Sequence, residues 1–170
     1  KGVNPPSILA VTFTNKAAEQ MKTRIRNLLR PGRVGDPIIS TFHSFCVRLL
    51  RREIEALGYT REFTIYDESD QMQVIKPAMK ELKVDDRVVN AKTIQSRISH
   101  AKNRMEGPDD VAAKSWSAQD DAVAKVYAAY ATELRDAHAL DFDDLLLRTV
   151  ELFEKCESVQ ARYSEHFRFA

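Results

Sequence analysis

Two short stretches of the sequence place an aromatic ring among hydroxyl, amide and basic groups. A phenylalanine ring offers a flat face on which a base can stack, and small polar side chains hydrogen-bond to phosphates and base edges. Lys16 favours an anion, and neutral His43 can donate to or accept from a base or a phosphate. Side chains of these types suit the binding of single-stranded nucleic acid. The residues are Thr12, Phe13, Thr14, Asn15 and Lys16 in the first stretch, and Thr41, Phe42, His43 and Ser44 in the second.

Each stretch lies where a predicted strand passes into a predicted helix. Residues 8–13 form a short uncharged run, typical of a strand buried on both faces of a parallel sheet. Cap-type residues follow it, and then a helix that we expect to end near Arg30-Pro31-Gly32. Residues 37–41 predict a second strand, with a helix to about Leu57. Ligands of open α/β sheets bind at the carboxyl ends of strands, although two ordinary capped helices would show the same pattern.

Composition and charge narrow the class of protein. Of the 170 residues, 44% are hydrophobic and 30% charged, which permits a packed core. The net charge of +1 hides an asymmetry: residues 1–61 carry +7 and residues 62–170 carry −6. A basic region is the usual footprint of phosphate binding, although a charged helix surface gives the same count. No apolar run approaches the ~18 residues of a membrane span, so we expect no membrane partner.

Other features of the sequence bear on location and completeness. The two cysteines are far apart in the chain, which suits a reducing cytoplasm better than a disulfide framework. The N-terminus has no apolar core of signal-peptide length. It also lacks an initiator methionine, which predicts a piece of a longer protein. We therefore expect a cytoplasmic location.

Residues 58–140 predict an all-helical insertion inside the α/β frame. Apolar residues recur at helical spacing in three segments, which begin near Asp67, Val89 and Ala118. Gly107-Pro108 marks a break between the second segment and the third. Four basic residues of the second segment suggest a patch for duplex DNA, but a solvated helix face is the favoured interpretation. They are Lys92, Arg97, Lys102 and Arg104.

Neither acidic cluster of the sequence predicts a catalytic or metal site. Asp141, Asp143 and Asp144 are better explained as the cap and first turn of a helix. Asp67-Glu68 follows an apolar run and resembles the pair of carboxylates at a strand end of nucleotide-hydrolysing enzymes, in which Asp67 would hold Mg²⁺. A phosphate-binding loop is also required, and no glycine precedes a Lys-Ser/Thr pair here. As a metal ligand His43 lacks clustered partners, so we expect no catalytic, cofactor-binding or metal residues.

Four blocks of the sequence resemble superfamily 1 DNA helicases of the UvrD/Rep/PcrA type. Residues 8–21 are similar to motif Ia, with the form A-V-T-F-T-N-K-A-A-x-x-M, and residues 41–52 to the following motif, T-F-H-S-x-C-x-R-x-L-R. Residues 63–71 and 141–146 resemble two further blocks in the family's order. The resemblance covers essentially the whole chain. It implies an α/β, mostly helical fold, with an incomplete RecA-like parallel sheet and an all-helical insertion lobe.

The resemblance also implies domains and a function. Residues 1–57 would be a partial RecA-like domain, residues 58–140 a lobe of the type called domain 1B, and residues 141–170 return helices. The parent would be an ATP-dependent 3′→5′ DNA helicase that works in DNA repair on single strands and single-strand/duplex junctions. ATP and Mg²⁺ would bind motifs on either side of this segment, so the segment alone would be inactive. The ten candidate DNA contacts are the nine residues above and, more weakly, Arg48.

Three questions stay open on the sequence. The chain could instead be a non-enzymatic helical module that binds proteins. It could also be a segment of an AddA- or RecB-like helicase–nuclease subunit, although the compact spacing of the blocks favours the simpler helicases. Two parallel strands are few for a stable sheet. We therefore expect displaced strands, or strands that pair with a neighbouring chain and promote self-association.

Overall fold

The strands and helices alternate only at the start of the chain. In the computed structural model, which describes residues 3–28 and 35–170, a 3-10 turn over Pro5–Ser7 comes first. It is followed by β1 (Leu9–Thr12), α1 (Asn15–Leu28), β2 (Ile38–Thr41) and α2 (Phe42–Glu53). A 3-10 turn over Ile54–Leu57 follows α2. The predicted stop at Arg30-Pro31-Gly32 lies outside the described residues.

The remaining elements are mainly helical. They are β3 (Thr64–Tyr66), α3 (Glu68–Glu81), α4 (Ala91–Lys102), α5 (Pro108–Ala113), α6 (Ala118–Asp136), β4 (Ala139–Asp141), α7 (Phe142–Lys155) and α8 (Glu157–His166). Among the described residues, none of the helices combines the length and the hydropathy of a membrane-spanning segment. The α/β, mostly helical fold class with an incomplete sheet is confirmed.

The chain divides into two compact units. The first unit comprises residues 1–57 and 148–170, and the second unit comprises residues 58–147. In the first unit, α2 buries one face through Leu49 and Leu50, and Ile54 of the following 3-10 turn is also almost inaccessible to solvent. In the second unit, α3, α4 and α6 supply an apolar core in which Ile75, Ile94 and Val126 are fully buried. Apolar side chains at helical spacing therefore form a core in each unit.

The strands of the first unit pair with each other. β1 and β2 are parallel, with Leu9 opposite Ile38 and Thr12 opposite Thr41. On the other edge of β1, the Leu9 N–H donates to the Phe169 carbonyl oxygen at 2.8 Å, and Ile8 forms a bridge with Phe169. The prediction of displaced strands is therefore wrong, because the backbone groups of β1 find partners on both edges within this chain.

The second unit is not all-helical, which corrects one detail of the prediction. β3 and β4 form a parallel pair, with Thr64 opposite Ala139 and Tyr66 opposite Asp141. Only the extended character of β3 is visible in the sequence. β4 has three residues, too few for a periodic pattern, and it follows α6 after a two-residue turn. His138 in that turn has a φ of +49°, the left-handed conformation that ends a helix.

Candidate nucleic-acid interface

The two predicted turns start at the same level of the sheet. Thr12 and Thr41 are the last residues of β1 and β2, and they are register partners in the parallel pair. A helix follows each strand closely. Two residues separate β1 from α1, and α2 begins at the residue after the end of β2. The carboxyl edge of the strands therefore carries both turns side by side, the position at which open α/β sheets bind ligands.

Two aromatic rings meet at this edge. The centroids of Phe13 and Phe42 are 5.1 Å apart, and the ring planes are tilted by 42°. Phe13 is 84% exposed and Phe42 is 37% exposed. A large apolar ring that is held in solvent, against a second ring, is available to stack on a base.

Threonine side chains fix both helix starts. The Ala17 N–H donates to Thr14 Oγ1 at 3.1 Å, which caps α1. Thr41 caps α2: its Oγ1 accepts from the Ser44 N–H at 3.2 Å and donates to Ser44 Oγ at 2.8 Å. Thr41 is buried, whereas Ser44 and Thr14 are exposed. The predicted cap is confirmed at Thr14, and these hydroxyls have structural partners before any ligand binds.

The remaining residues of the two turns lie around the aromatic pair at the helix starts. Asn15 and Lys16 occupy the first turn of α1 and are exposed, while His43 lies in the first turn of α2 and is partly exposed. The nine residues from Thr12 to Lys16 and from Thr41 to Ser44 therefore share one edge of the first unit. We call this surface the turn edge.

Arg48 does not belong to the turn edge. It lies more than a turn further along α2, and its guanidinium donates to Ser40 Oγ at 3.1 Å. It also lines a cavity of about 460 Å³ between α2 and α8, with Leu49, Arg162 and Phe167 among its neighbours. The structure thus separates Arg48 from the other nine candidate residues.

The helix starts at the turn edge carry no acidic side chain. Neither α1 nor α2 has an acidic residue in its first turn, a property that they share with α4, whereas α3, α5, α6, α7 and α8 each have at least one. A helix N-terminus bears a partial positive charge, and an acidic first-turn residue offsets it. The N-termini of α1 and α2 therefore remain available to an external anion such as a phosphate.

The predicted basic patch of α4 is largely absent, which corrects that alternative. Arg97 pairs with Asp120 at 2.6 Å, Arg104 pairs with Glu106 at 2.6 Å, and Lys102 is buried. Of the four candidate residues, Lys92 is the one that is exposed and forms no ion pair with the residues that the structure describes. A solvated or internally paired helix surface explains these charges.

Asp67 serves as a helix cap. Its Oδ1 accepts from the Ser69 and Asp70 N–H groups at 2.7 and 2.9 Å, and the Asp67 N–H donates to Asp70 Oδ2 at 3.0 Å. This reciprocal capping box satisfies donors at the start of α3. Among residues 3–28 and 35–170, no group of three or more His, Cys, Asp and Glu side chains is arranged to hold a metal ion. The Asp67 carboxylate is thus engaged by backbone N–H groups at the start of α3.

A third strand-to-helix turn, in the second unit, has the same construction as the first two. β4 ends at Asp141, and Phe142, the first residue of α7, is 48% exposed. Asp141 caps α7 by accepting from the Asp144 N–H at 2.8 Å, as the sequence predicts. We did not identify Phe142 as a candidate site residue. The available signal was a phenylalanine directly after a strand end, as at Phe13 and Phe42.

Comparison with known proteins decides the family. The family model of the UvrD/REP helicase N-terminal domain matches residues 1–170. The chain belongs to the UvrD/Rep helicase family. Within the family it is similar to the ATP-dependent DNA helicase PcrA of Bacillus subtilis, with 43% identity over 169 residues, and to that of Leuconostoc citreum, with 43% over 167 residues. PcrA of Staphylococcus aureus strain Mu50 is 40% identical over 173 residues.

These alignments cover nearly all of this chain but little of each relative. They span 99%, 98% and 99% of the chain, and 23%, 22% and 23% of the respective helicases. The chain thus spans about a quarter of the length of the curated relatives it matches. The resemblance to UvrD/Rep/PcrA-type helicases that the sequence motifs indicated is confirmed.

Proposed function

We propose that this chain supplies single-stranded DNA contacts to an ATP-dependent 3′→5′ DNA helicase. The observation that carries the proposal is the pair of Phe13 and Phe42 at the turn edge, with Phe13 almost fully exposed. Two helix N-termini without first-turn acids flank that pair. The relatives named ATP-dependent DNA helicase PcrA support the assignment.

The proposed mechanism divides the work between stacking and charge. A base stacks on the exposed face of Phe13, while Lys16 and the two helix N-termini attract the adjacent phosphates. Asn15, His43 and Ser44 lie within the same surface and donate to phosphate or base edges. In the second unit, Phe142 repeats the exposed ring at a strand end, and we propose that it is a secondary DNA contact. Arg48 is excluded from this set by its position.

We propose that ATP and Mg²⁺ act in the longer protein through residues outside this chain, which does not hydrolyse ATP by itself. The capping role of Asp67 supports this view. We propose that the longer protein acts on single-strand/duplex junctions during DNA repair, and that it does so in the cytoplasm. Both cysteines are free thiols, which suits that compartment. Self-association would use the outer edge of β2, which pairs with no strand of the described residues.

A fluorescent oligothymidylate titration tests the DNA proposal. We expect Phe13→Ala to weaken binding about tenfold, because one stacking platform is lost. Leu28→Ala is the matched control, since Leu28 is also an apolar residue of the first unit and is 83% exposed. Equal affinities of the parent chain, the Phe13→Ala variant and the Leu28→Ala variant would refute the role of the turn edge.

Protein docking is a second candidate function, favoured by one observation. Trp116, the single tryptophan, lies in the turn between α5 and α6 and is 93% exposed. Exposed tryptophan is enriched at protein interfaces. The double variant Phe13→Ala with His43→Ala discriminates between the candidates. Loss of DNA binding in this double variant supports the helicase role. Unchanged DNA binding in the double variant, together with loss of binding to a partner protein in the Trp116→Ala variant, supports docking.

A further inference from the structure

A buried ionic cluster lies at the start of α7. Lys102 Nζ donates to Asp141 Oδ2 at 2.7 Å and to Asp144 Oδ2 at 2.8 Å. The Tyr130 hydroxyl donates to the same Asp141 oxygen at 2.8 Å, and the Lys102 ammonium lies 5.2 Å from the centre of the Tyr130 ring. All four residues are buried. We call these residues the ionic cluster.

The ionic cluster joins four elements of the second unit. Lys102 ends α4, Tyr130 belongs to α6, Asp141 ends β4, and Asp144 lies in the first turn of α7. Burial opposes ionisation of Asp141. The charge of Lys102 and the hydrogen bonds from Lys102, the Asp144 backbone and Tyr130 outweigh that effect, so the pKa of Asp141 lies below its ordinary value. Burial also raises the pKa of Tyr130, which keeps its hydroxyl a donor.

The same two aspartates define the backbone around Phe142. Asp141 precedes it, and Asp144 follows two residues later. They exchange capping bonds: the Asp144 N–H donates to Asp141 Oδ1 at 2.8 Å, and the Asp141 N–H donates to Asp144 Oδ2 at 3.2 Å. On the exposed side, Asn103 Nδ2 donates to Asp143 Oδ1 at 3.2 Å. The end of α4 thus holds this turn from the inside through Lys102 and from the outside through Asn103.

A polar groove of about 770 Å³ lies beside Phe142. Its lining includes Lys92, Gln95 and Ser99 from α4 and Asn103 just after that helix, together with three acidic residues, Asp67, Glu68 and Asp143. The carboxylates disfavour a phosphate in this groove, whereas an aromatic ring beside amide and hydroxyl groups offers stacking together with hydrogen bonds to base edges. For such a ring to stack productively, its backbone has to be fixed before binding, because ordering it on binding would reduce affinity.

We infer that Lys102 and Tyr130 are positioning residues for Phe142, and that the ionic cluster holds its ring in the orientation that stacks on a DNA base. This inference rests on the proposed DNA-binding function and extends it to two buried residues that touch no DNA. Removing Lys102 leaves two buried carboxylates without their cation. The carboxylates then separate or take up protons, and the capped turn that carries Phe142 loosens.

A double-mutant cycle on the 170-residue chain tests the inference, with anisotropy of labelled oligothymidylate as the readout. We expect Phe142→Ala to weaken binding about tenfold. Lys102→Met should weaken binding about fivefold when Phe142 is present and less than about twofold in the Phe142→Ala background. Lys125→Met, which removes an exposed lysine of α6, is the control for a simple loss of charge.

Tyr130→Phe keeps the test decisive if Lys102→Met does not fold, as checked by circular dichroism. This substitution removes one hydrogen bond and creates no cavity. We expect it to weaken DNA binding about twofold when Phe142 is present and to have no effect in the Phe142→Ala background. Equal losses with and without Phe142 would show a general structural role and overturn the inference. An effect of Phe13→Ala without one of Phe142→Ala would also overturn it, while leaving the DNA proposal intact at the turn edge. No effect of either phenylalanine would refute the DNA proposal itself.

Discussion

Thr12 and Thr41 are direct partners across the parallel pair of β1 and β2. Because each is the last residue of its strand, this one relationship sets Phe13 and Phe42 at the same height. If β2 shifted by one residue relative to β1, each side chain of β2 would turn to the opposite face of the sheet, and the two phenylalanine rings would separate. The backbone ladder, rather than the side chains, therefore determines the geometry of the turn edge.

Phe13 and Phe42 should differ in their effects on stability. Phe13 is 84% exposed, so Phe13→Ala should change the free energy of unfolding by less than about 0.5 kcal/mol. Phe42 is only 37% exposed, and Phe42→Ala should cost about 1–2 kcal/mol, below the loss for a fully buried phenylalanine. Urea unfolding of the two variants measures the difference. Equal destabilisation would mean that Phe13 serves mainly to pack the fold.

Lys16 should contribute to the salt dependence of DNA binding. Each phosphate contact on a single strand adds about 0.7 to the slope of log K against log salt concentration. We expect Lys16→Ala to make that slope shallower by about this amount. Lys76→Ala on α3, in the second unit, is the control, because Lys76 is exposed and far along the chain from the turn edge. An unchanged slope for Lys16→Ala would remove Lys16 from the interface.

Asp67→Ala should affect folding and leave ATP chemistry unchanged. The Asp67 carboxylate caps α3 through two backbone N–H groups, so its loss should cost about 1 kcal/mol of unfolding free energy. Asp86→Ala, in the exposed connector between α3 and α4, should be nearly neutral. We expect no phosphate release from ATP by the parent chain or either variant. ATP hydrolysis that disappears on Asp67→Ala would contradict the capping interpretation.

Acid should weaken the second unit partly through Asp120. Hydrogen bonds from Ser117, Arg97 and the Trp116 backbone lower the pKa of Asp120 to about 2. An unfolded aspartate titrates near pH 4. The folded state thus favours the ionised form, and the stabilisation is complete above about pH 4 and is lost as the pH falls towards 2.

Urea unfolding between pH 6 and pH 2.5 measures this contribution. Asp120→Asn should be less stable than the parent chain at pH 6, and the gap should close as the pH falls. Asp109→Asn on α5 is the control, since Asp109 is exposed and lies in the first turn of a neighbouring helix. Stability curves of the parent chain and Asp120→Asn that stay parallel down to pH 2.5 would exclude Asp120 as a source of acid sensitivity.

Local sequence patterns predicted the elements that carry their own signals. The apolar run before Thr12 predicted β1, and the caps at Thr14 and Asp141 were placed from residue type alone. Helix-period apolar stripes predicted α3, α4 and α6. These signals depend on neighbours within a few residues, so no tertiary information is needed to interpret them.

The features that the sequence did not predict all depend on tertiary contacts. Lys102 lies at the end of α4, where a lysine is usually solvated, and only the aspartates from residues 141 and 144 explain its burial. β4 is a strand because β3 lies beside it, and each residue of β4 is paired with the residue 75 positions earlier in the chain. Arg48 follows the helicase pattern in sequence, yet its side chain turns back to Ser40.

The spacing of the Phe13 and Phe42 rings limits how a nucleotide can be seated there. Stacked bases are about 3.4 Å apart, so a base sandwiched between two rings needs about twice that separation. The observed 5.1 Å between centroids, with the planes tilted, is too narrow for such a clamp. The pair instead presents a single open face on Phe13. Under the proposed function, this face would take one base at a time, and a moving strand would leave it without separating the two rings.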